Sequence, residues 1–269
     1  MIFNKGFVHE KSFFSKNESI KLRKLLDKIH AYGTKNETDT IRPLYNYEEY
    51  WDLITNKKIL DKVKDLLGTD QICYLYNSKS VLQRSDKDLN WHRDNVCRTC
   101  GKGEDWDKEE NYNIIRVAIY LSDQKETNSG LQVIPGTHKK NYLICFILRI
   151  LRKKLKFLNF NKFFRKCFDS LISKKIKVDT GDCIFFIASL YHSAMKTNDT
   201  RRAIFLSYGT KNLHAENYTN YYFHHVHGNS FMLDSEKIDQ KKFIDRLKIS
   251  KIYYEIPTEK KEIKGVTSN

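Results

Sequence analysis

A series of short β-branched and aromatic segments, separated by turn residues, is the feature of this chain that most restricts its fold. Pro135-Gly136 and residues 198–200 are examples of the turns. Many short strands joined by turns are typical of an antiparallel barrel or sandwich. The sequence therefore predicts an α+β fold that is mainly β. The predicted strands lie at residues 72–76, 81–83, 113–121, 131–134, 183–187 and 201–208.

Helical patterns flank this series on both sides. Ser15 and Glu18 fit a capping box, and apolar residues then recur at helical spacing. Polar residues 34–40 indicate a loop, a second helix is predicted over 47–67, and a last one near 235–247. We predict a single domain over 1–269. Its parts are an N-terminal helical part at 1–70, a β core at about 71–138 and 177–230, a basic helical insertion at 139–176, and a C-terminal helix and tail at 231–269.

The run Trp91-His92-Arg93-Asp94 carries a histidine and a carboxylate two residues apart, on the same face of an extended segment. Neutral imidazole and carboxylate are part of the 2-His-1-carboxylate set that binds Fe(II) and leaves positions open for co-substrates. His192, which follows the apolar segment 183–187, is the best candidate for the third ligand. A surface strand can also carry His-x-Asp by chance, and His192 alone also fits a buried core histidine.

Two consecutive arginines open the last predicted strand. A 2-oxo acid that chelates iron needs a buried cation for its far carboxylate, and a guanidinium offers two-point geometry for it. Arg201 and Arg202 lie on opposite faces of the strand, so one of them faces the interior. The face of Arg201 also carries Ala203, Phe205 and Ser207, a mixed lining that suits a small polar pocket.

Four motifs, in this order, resemble the phytanoyl-CoA dioxygenase family of Fe(II)/2-oxoglutarate-dependent oxygenases. They are Trp91-His92-Arg93-Asp94, the strand at 117–123, the stretch 130–139 with its Pro-Gly-Thr-His turn, and Gly181-Asp182 followed by His192 and the two arginines. The resemblance covers roughly residues 70–210. It implies a double-stranded β-helix (a cupin-like jelly roll) with iron on His92, Asp94 and His192. It also implies an arginine that holds 2-oxoglutarate, at the position of Arg201.

The resemblance also implies the activity. Such an enzyme uses O₂ and converts 2-oxoglutarate to succinate and CO₂ while it hydroxylates an organic substrate. Asp94 favours hydroxylation, because within the wider oxygenase group a small residue at this position opens the iron to halide. The expected substrate is a small molecule or a carrier- or lipid-linked compound. By position alone, further candidates for co-substrate contacts are Asn77, Lys79 and Gln83.

The net charge of +15 is concentrated in one segment, in which Lys139 to Lys177 include thirteen Lys or Arg and a single acid, Asp169. Such a segment is typical of a lid over the barrel mouth, or of a helix that docks on an anionic membrane or acidic partner through 139–177. No nucleic-acid reading motif is visible, which argues against nucleic acid as a partner. The alternative function is a catalytically silent cupin-like protein that binds an anionic surface through this insertion.

The remaining polar motifs favour structural roles. Cys97 and Cys100 form a lone CxxC, which favours loop thiols over a zinc site. Neither a secretory leader nor an apolar run of about 18 residues is visible. A cytoplasmic protein is therefore expected, with peripheral contact at a membrane as an option. The histidines interpreted as structural, surface or pocket residues are His138, His224, His225 and His227.

Overall fold

A computed structural model describes residues 2–31, 38–83, 91–94, 114–139, 172–195, 197–212, 215–216, 219 and 239–254. The strands in these ranges are β1 (Phe7–Glu10), β2 (Thr38–Ile41), β3 (Ile72–Tyr74), β4 (Lys79–Gln83), β5 (Ile114–Tyr120), β6 (Gly130–Val133), β7 (Lys174–Lys177), β8 (Cys183–Ile187), β9 (His192–Ala194) and β10 (Arg201–Thr210). The helices are α1 (Ile2–Lys5), α2 (Lys16–His30), α3 (Trp51–Ile54), α4 (Lys57–Leu67), α5 (Gln124–Thr127) and α6 (Gln240–Ile249), with 3₁₀ turns at Leu44–Asn46 and Glu48–Tyr50.

The strands form two antiparallel sheets. The larger sheet has the order β1-β8-β5-β10-β4-β2, and β3 pairs with the end of β10. The smaller sheet has the order β7-β6-β9. With ten residues, β10 is long enough to pair with β5 along one side and with β4 and then β3 along the other.

The alternation of side chains along β10 separates two cores. Ile204, Leu206 and Tyr208 belong to the larger core, which the outer face of the seven-stranded sheet forms with the helices. Ala203 belongs to the second core, whose members come from both sheets and fill the space between them. Because side chains alternate with a period of two, Arg201 shares the inner face with Ala203, as the sequence predicted.

The helices follow their capping residues. The Ser15 hydroxyl accepts from the backbone N–H of Glu18 at 3.3 Å, and the Glu18 carboxylate accepts from that of Ser15 at 2.8 Å, which confirms the capping box. The predicted helix over 47–67 is interrupted, with 3₁₀ turns, α3 and α4 in its place. Asn56 explains the break, because its side chain accepts from the N–H of Ile59 and so begins α4 as a new helix. Gly68 ends α4 in a left-handed conformation.

Three further elements differ from the sequence prediction. Thr38–Ile41 forms β2 on the edge of the larger sheet, where polar residues indicated a loop. The basic segment is not helical to its end, since Lys174–Lys177 pairs with β6 as β7. The reason is its alternation, with Ile176 buried between exposed lysines. α6 begins later than predicted, after the capping residue Asp239.

Some predictions concern parts of the chain that lie outside the described residues. Most of the predicted helical insertion, residues 140–171, lies outside the described residues, as does the tail from 255. The division of the chain into one domain with four parts stays a prediction. Among the helices that the structure describes, none is long and apolar enough to cross a membrane.

The turn before β8 joins the helical layer to the larger sheet. The carbonyl oxygen of Gly181 accepts from the N–H of Phe14 at 2.9 Å. Gly181 has φ 92°, and a Cβ there would lie 2.5 Å from the carbonyl oxygen of Phe14, so only glycine fits. The next residue, Asp182, is buried, accepts from the N–H of Ser12, and lies 2.9 Å from Nε2 of His9. This turn fixes the start of the strand that leads towards His192.

Candidate functional site

His92 and His192, distant in the sequence, meet through their backbones. Each donates its N–H to the carbonyl oxygen of the other, and both hydrogen bonds are 2.9 Å long. Their ring centroids lie 4.4 Å apart. His192 also pairs with Val133 of β6, so the smaller sheet brings two of the predicted ligands side by side.

The imidazole of His192 has a defined orientation. Its Nδ1 lies 2.8 Å from the carbonyl oxygen of Leu190, so Nδ1 carries the proton and Nε2 keeps a lone pair. Burial lowers the pKa of His192 to about 4, against the opposing effect of the Asp94 carboxylate. His192 is therefore neutral near pH 7, which is the state that a metal ligand requires.

Asp94 completes the group. Its N–H donates to the carbonyl oxygen of Ala188 at 2.9 Å, and its Oδ1 lies 3.6 Å from Nε2 of His92. Burial raises the pKa of Asp94, but the charges of Arg116 and other nearby cations outweigh it and bring the pKa to about 2. Donor atoms of His92, Asp94 and His192 all lie within 4.8 Å of one another, and the carboxylate is ionised.

Arg116 is the contact that the sequence analysis missed. It lies on β5, is 2% exposed, and its Nε is 3.0 Å from Oδ2 of Asp94 in an ion pair without directed hydrogen-bond geometry. One signal in the sequence was available: Arg116 interrupts the otherwise apolar run at 114–120. A guanidinium in a strand that is buried on both faces needs a partner inside the fold.

The Pro-Gly-Thr-His turn connects the two segments that carry the predicted ligands. The carbonyl oxygen of Thr137 accepts from Nη2 of Arg93 at 2.9 Å. The Thr137 hydroxyl donates to the carbonyl oxygen of Ile134 at 2.7 Å and accepts from the N–H of Tyr191 at 3.0 Å. Because Arg93 and Tyr191 are each adjacent to a predicted ligand, this one turn positions both segments.

The structure separates the two arginines of β10. Arg201 is 3% exposed and donates through Nη2 to Oε1 of Gln83 and through Nη1 to the carbonyl oxygen of Met195. Its Nε has no hydrogen-bond partner among the described residues. Arg202 points the other way, with its Nε 2.6 Å from Oδ1 of Asp27 on α2. Of these two arginines, Arg201 is thus the one inside the barrel, and Gln83, its neighbour in register on β4, holds it.

The two other candidates for co-substrate contacts have different surroundings. Asn77 lies in the turn between β3 and β4 rather than on a strand, and its carbonyl oxygen accepts from Nη1 of Arg116 and from the hydroxyl of Ser207. Lys79 lies on the inner face of β4, with its Nζ 5.3 Å from the ring centroid of Phe205. Burial, followed by repulsion from Arg116, lowers the pKa of Lys79 to about 8.

His138 is consistent with the structural interpretation, because its Nε2 lies 2.9 Å from the carbonyl oxygen of Phe3. The predicted residues that lie outside the described ranges are Cys97, Cys100, His224, His225 and His227.

The residues brought together fit an Fe(II) centre with a 2-oxo acid co-substrate. Two neutral imidazoles and one carboxylate are the donor set of non-haem Fe(II) oxygenases. Nε of Arg201 is a buried donor without a partner in the described residues, which suits an anionic acceptor supplied by a bound molecule.

Known proteins share both the sequence pattern and the architecture. The family model described as phytanoyl-CoA dioxygenase (PhyH) matches residues 4–203. No curated protein matches the sequence. HygX from Streptomyces hygroscopicus, with nickel and 2-oxoglutarate bound, has a TM-score of 0.61 at 17% identity, over 78% of this chain and 84% of HygX.

Two further solved structures have the same architecture. The epimerase SnoN from nogalamycin biosynthesis has a TM-score of 0.53 at 14% identity, over 78% of this chain and 79% of SnoN. EctD from S. alaskensis in its apo form has a TM-score of 0.54 at 16% identity, over 77% of this chain and 74% of EctD. These likenesses confirm the predicted double-stranded β-helix.

Proposed function

Because the chain belongs to the phytanoyl-CoA dioxygenase family of Fe(II)/2-oxoglutarate-dependent oxygenases, we propose that it hydroxylates an organic substrate at an iron held by His92, Asp94 and His192. The observation that supports this assignment most is the convergence of these three side chains within 4.8 Å of one another, with Asp94 ionised and His192 neutral. When bound, iron with 2-oxoglutarate and O₂ supplies the oxidising power to break an unactivated C–H bond.

The residues of the chain would bind the metal and 2-oxoglutarate and fix their orientation. The hydrogen bond from Nδ1 of His192 to Leu190 leaves Nε2 for the metal, and the backbone bridge to His92 holds the second imidazole beside it. The guanidinium of Arg201 would pair with the far carboxylate of 2-oxoglutarate, and Gln83 fixes the direction in which that guanidinium points.

Apolar side chains line part of this centre, although the side chain of His92 is half exposed. Phe186 of β8 packs against His192, with ring centroids 4.8 Å apart. Phe205 lies on the same face of β10 as Arg201 and packs against the core between the sheets. An apolar lining strengthens the ion pairs inside and protects a reactive centre from side reactions.

The proposal also specifies the reaction, which is hydroxylation. The fold alone does not determine the reaction type, since SnoN has the same architecture and is an epimerase. Asp94 supports hydroxylation over halogenation, because a carboxylate occupies the position that a halide would need. HygX, which is also known with hygromycin B bound, supports a small-molecule substrate by likeness.

The basic segment adds no support for a second function. Lys174, Lys175 and Lys177 are exposed on β7, but most of 139–177 lies outside the described residues. Contact with an anionic membrane or acidic partner, and a cytoplasmic location, therefore stay predictions. The same holds for a catalytically silent protein that binds through the insertion.

Anaerobic addition of 2-oxoglutarate to the Fe(II)-loaded protein tests the assignment. Wild type should develop the weak visible charge-transfer band of the iron chelate and should form succinate slowly in air without a substrate. His92→Ala and Asp94→Ala should abolish both signals. His138→Gln is a matched control, because this histidine is directed to Phe3 and the variant should keep both signals. A wild-type protein that shows neither band nor succinate would contradict the proposed function.

A further inference from the structure

Arg116 is a buried cation that the proposed reaction does not use directly. It lies on the inner face of β5, opposite Ser207 of β10 and Phe186 of β8 in the sheet register. Its side chain is 2% exposed. A buried guanidinium is costly unless it is paired and hydrogen-bonded, so its contacts indicate what it stabilises.

Three groups hold the guanidinium in place. Nη1 donates to the carbonyl oxygen of Asn77 and to the hydroxyl of Ser207, and the same hydroxyl donates to Asn77 at 2.9 Å. Nε lies 3.0 Å from Oδ2 of Asp94. The turn between β3 and β4, together with β10, therefore fixes the direction from which Arg116 approaches the carboxylate.

The two oxygens of Asp94 have different neighbours. Oδ1 lies on the side of His92, 3.6 Å from Nε2. Oδ2 lies on the side of Arg116. The backbone of Asp94 is tied to Ala188, which fixes where its side chain begins, and the contact of Arg116 with Oδ2 distinguishes the two oxygens.

We propose that Arg116 is a positioning residue that holds Oδ2 of Asp94 away from the metal, so that Asp94 binds through Oδ1 alone. This inference rests on the proposed iron site. A carboxylate that binds through both oxygens takes up one more coordination position. By occupying Oδ2, Arg116 keeps that position available for the bidentate co-substrate and O₂.

Arg116→Met tests this role through two affinities that should change differently. Without Arg116, Oδ2 is free to bind the metal and a nearby positive charge is gone, so Fe(II) affinity should equal or exceed that of wild type. The affinity of the Fe(II) protein for 2-oxoglutarate, measured by the charge-transfer band, should fall by about tenfold or more, equivalent to about 1.4 kcal/mol. The visible spectrum of the Co(II)-loaded variant should also differ from wild type before any 2-oxoglutarate is added, because it reports coordination.

Ser207→Ala supplies a second variant that keeps the charge of Arg116 and removes one of its anchors. It should shift the Co(II) spectrum in the same direction and weaken 2-oxoglutarate binding severalfold, even if Arg116→Met does not fold. Arg202→Gln is the matched control, because it breaks an Arg–Asp pair on the outer face of β10 and should leave both measurements unchanged.

Two results would overturn the role of Arg116. One is unchanged Co(II) spectra and 2-oxoglutarate affinities in both variants. The other is a parallel loss of metal and co-substrate affinity, which would indicate structural damage alone. Absence of the charge-transfer band in wild type would instead remove the proposed function on which this inference depends.

Discussion

Arg201→Met should separate co-substrate binding from metal binding. Arg201 is buried, its guanidinium is held by Gln83 and Met195, and Nε is left without a partner in the described residues. A 2-oxoglutarate carboxylate that enters this site would gain a charge-assisted, two-point contact in a place with little water. We therefore expect Arg201 to contribute to co-substrate affinity and Arg202, on the outer face of β10, to contribute nothing.

The expected magnitude follows from the burial of the pair. Truncating one partner of a buried, hydrogen-bonded charge pair costs about 3 kcal/mol. At about 1.4 kcal/mol per factor of ten, the dissociation constant of 2-oxoglutarate should rise by about two orders of magnitude. The 2-oxoglutarate affinity of Arg201→Lys should lie between those of Arg201→Met and wild type, because a lysine keeps the positive charge but lacks the planar, two-point geometry of a guanidinium.

The assay is an anaerobic titration of the Fe(II)-loaded protein with 2-oxoglutarate, followed by the charge-transfer band. Fe(II) binding alone should stay close to wild type, since the guanidinium of Arg201 donates to Gln83 and Met195 and not to a predicted ligand. Arg202→Gln should bind 2-oxoglutarate normally and lose less than about 1 kcal/mol of stability, because its partner Asp27 is partly exposed. A normal titration of Arg201→Met, or a large loss in Arg202→Gln, would refute the reasoning.

Three further predictions concern the helical layer and are measured by thermal or denaturant unfolding. Gly181→Ala should destabilise the fold by about 2 kcal/mol or more, because a Cβ would lie 2.5 Å from the carbonyl oxygen of Phe14 at a positive φ; a change below about 0.5 kcal/mol would contradict this. Ser15→Ala should cost about 1 kcal/mol as the loss of a helix N-cap. Hydrogen bonds from Ser15 lower the pKa of Glu18, so the stability that Glu18 contributes is present above the ordinary glutamate pKa and is lost as the pH falls through the lowered value. The stability difference between wild type and Glu18→Gln should therefore shrink in acid, and a constant difference down to about pH 3 would contradict the assignment.

The sequence predicted best what depends on alternation and capping. The faces of β10 were assigned from the period of two, and the structure places Arg201 inside and Arg202 against α2. The capping box at Ser15 was visible because the two residues that form it are three apart in the chain. Features that a short stretch of sequence determines can be read from that stretch.

The parts that were missed depend on contacts between distant segments. Arg116 gains its partner Asp94 only when β5 lies beside the His-x-Asp segment. The sequence alone therefore indicated only a buried apolar strand at this position. β2 has a polar sequence and exists because β4 offers an edge for it to pair with. The same reasoning explains β7. Its lysines suggested an amphipathic helix, but the segment forms a strand because it pairs with β6 in the smaller sheet, where Ile176 is buried.

The backbone bridge between His92 and His192 also has a consequence for folding kinetics. Segments far apart in the chain lose more entropy when they meet, so contacts of this kind tend to form after local ones. We expect the bridge to be largely absent from the folding transition state, so that changes at either histidine act on the unfolding rate more than on the folding rate. A bound metal would then prolong the lifetime of the folded chain chiefly by slowing the opening of this bridge.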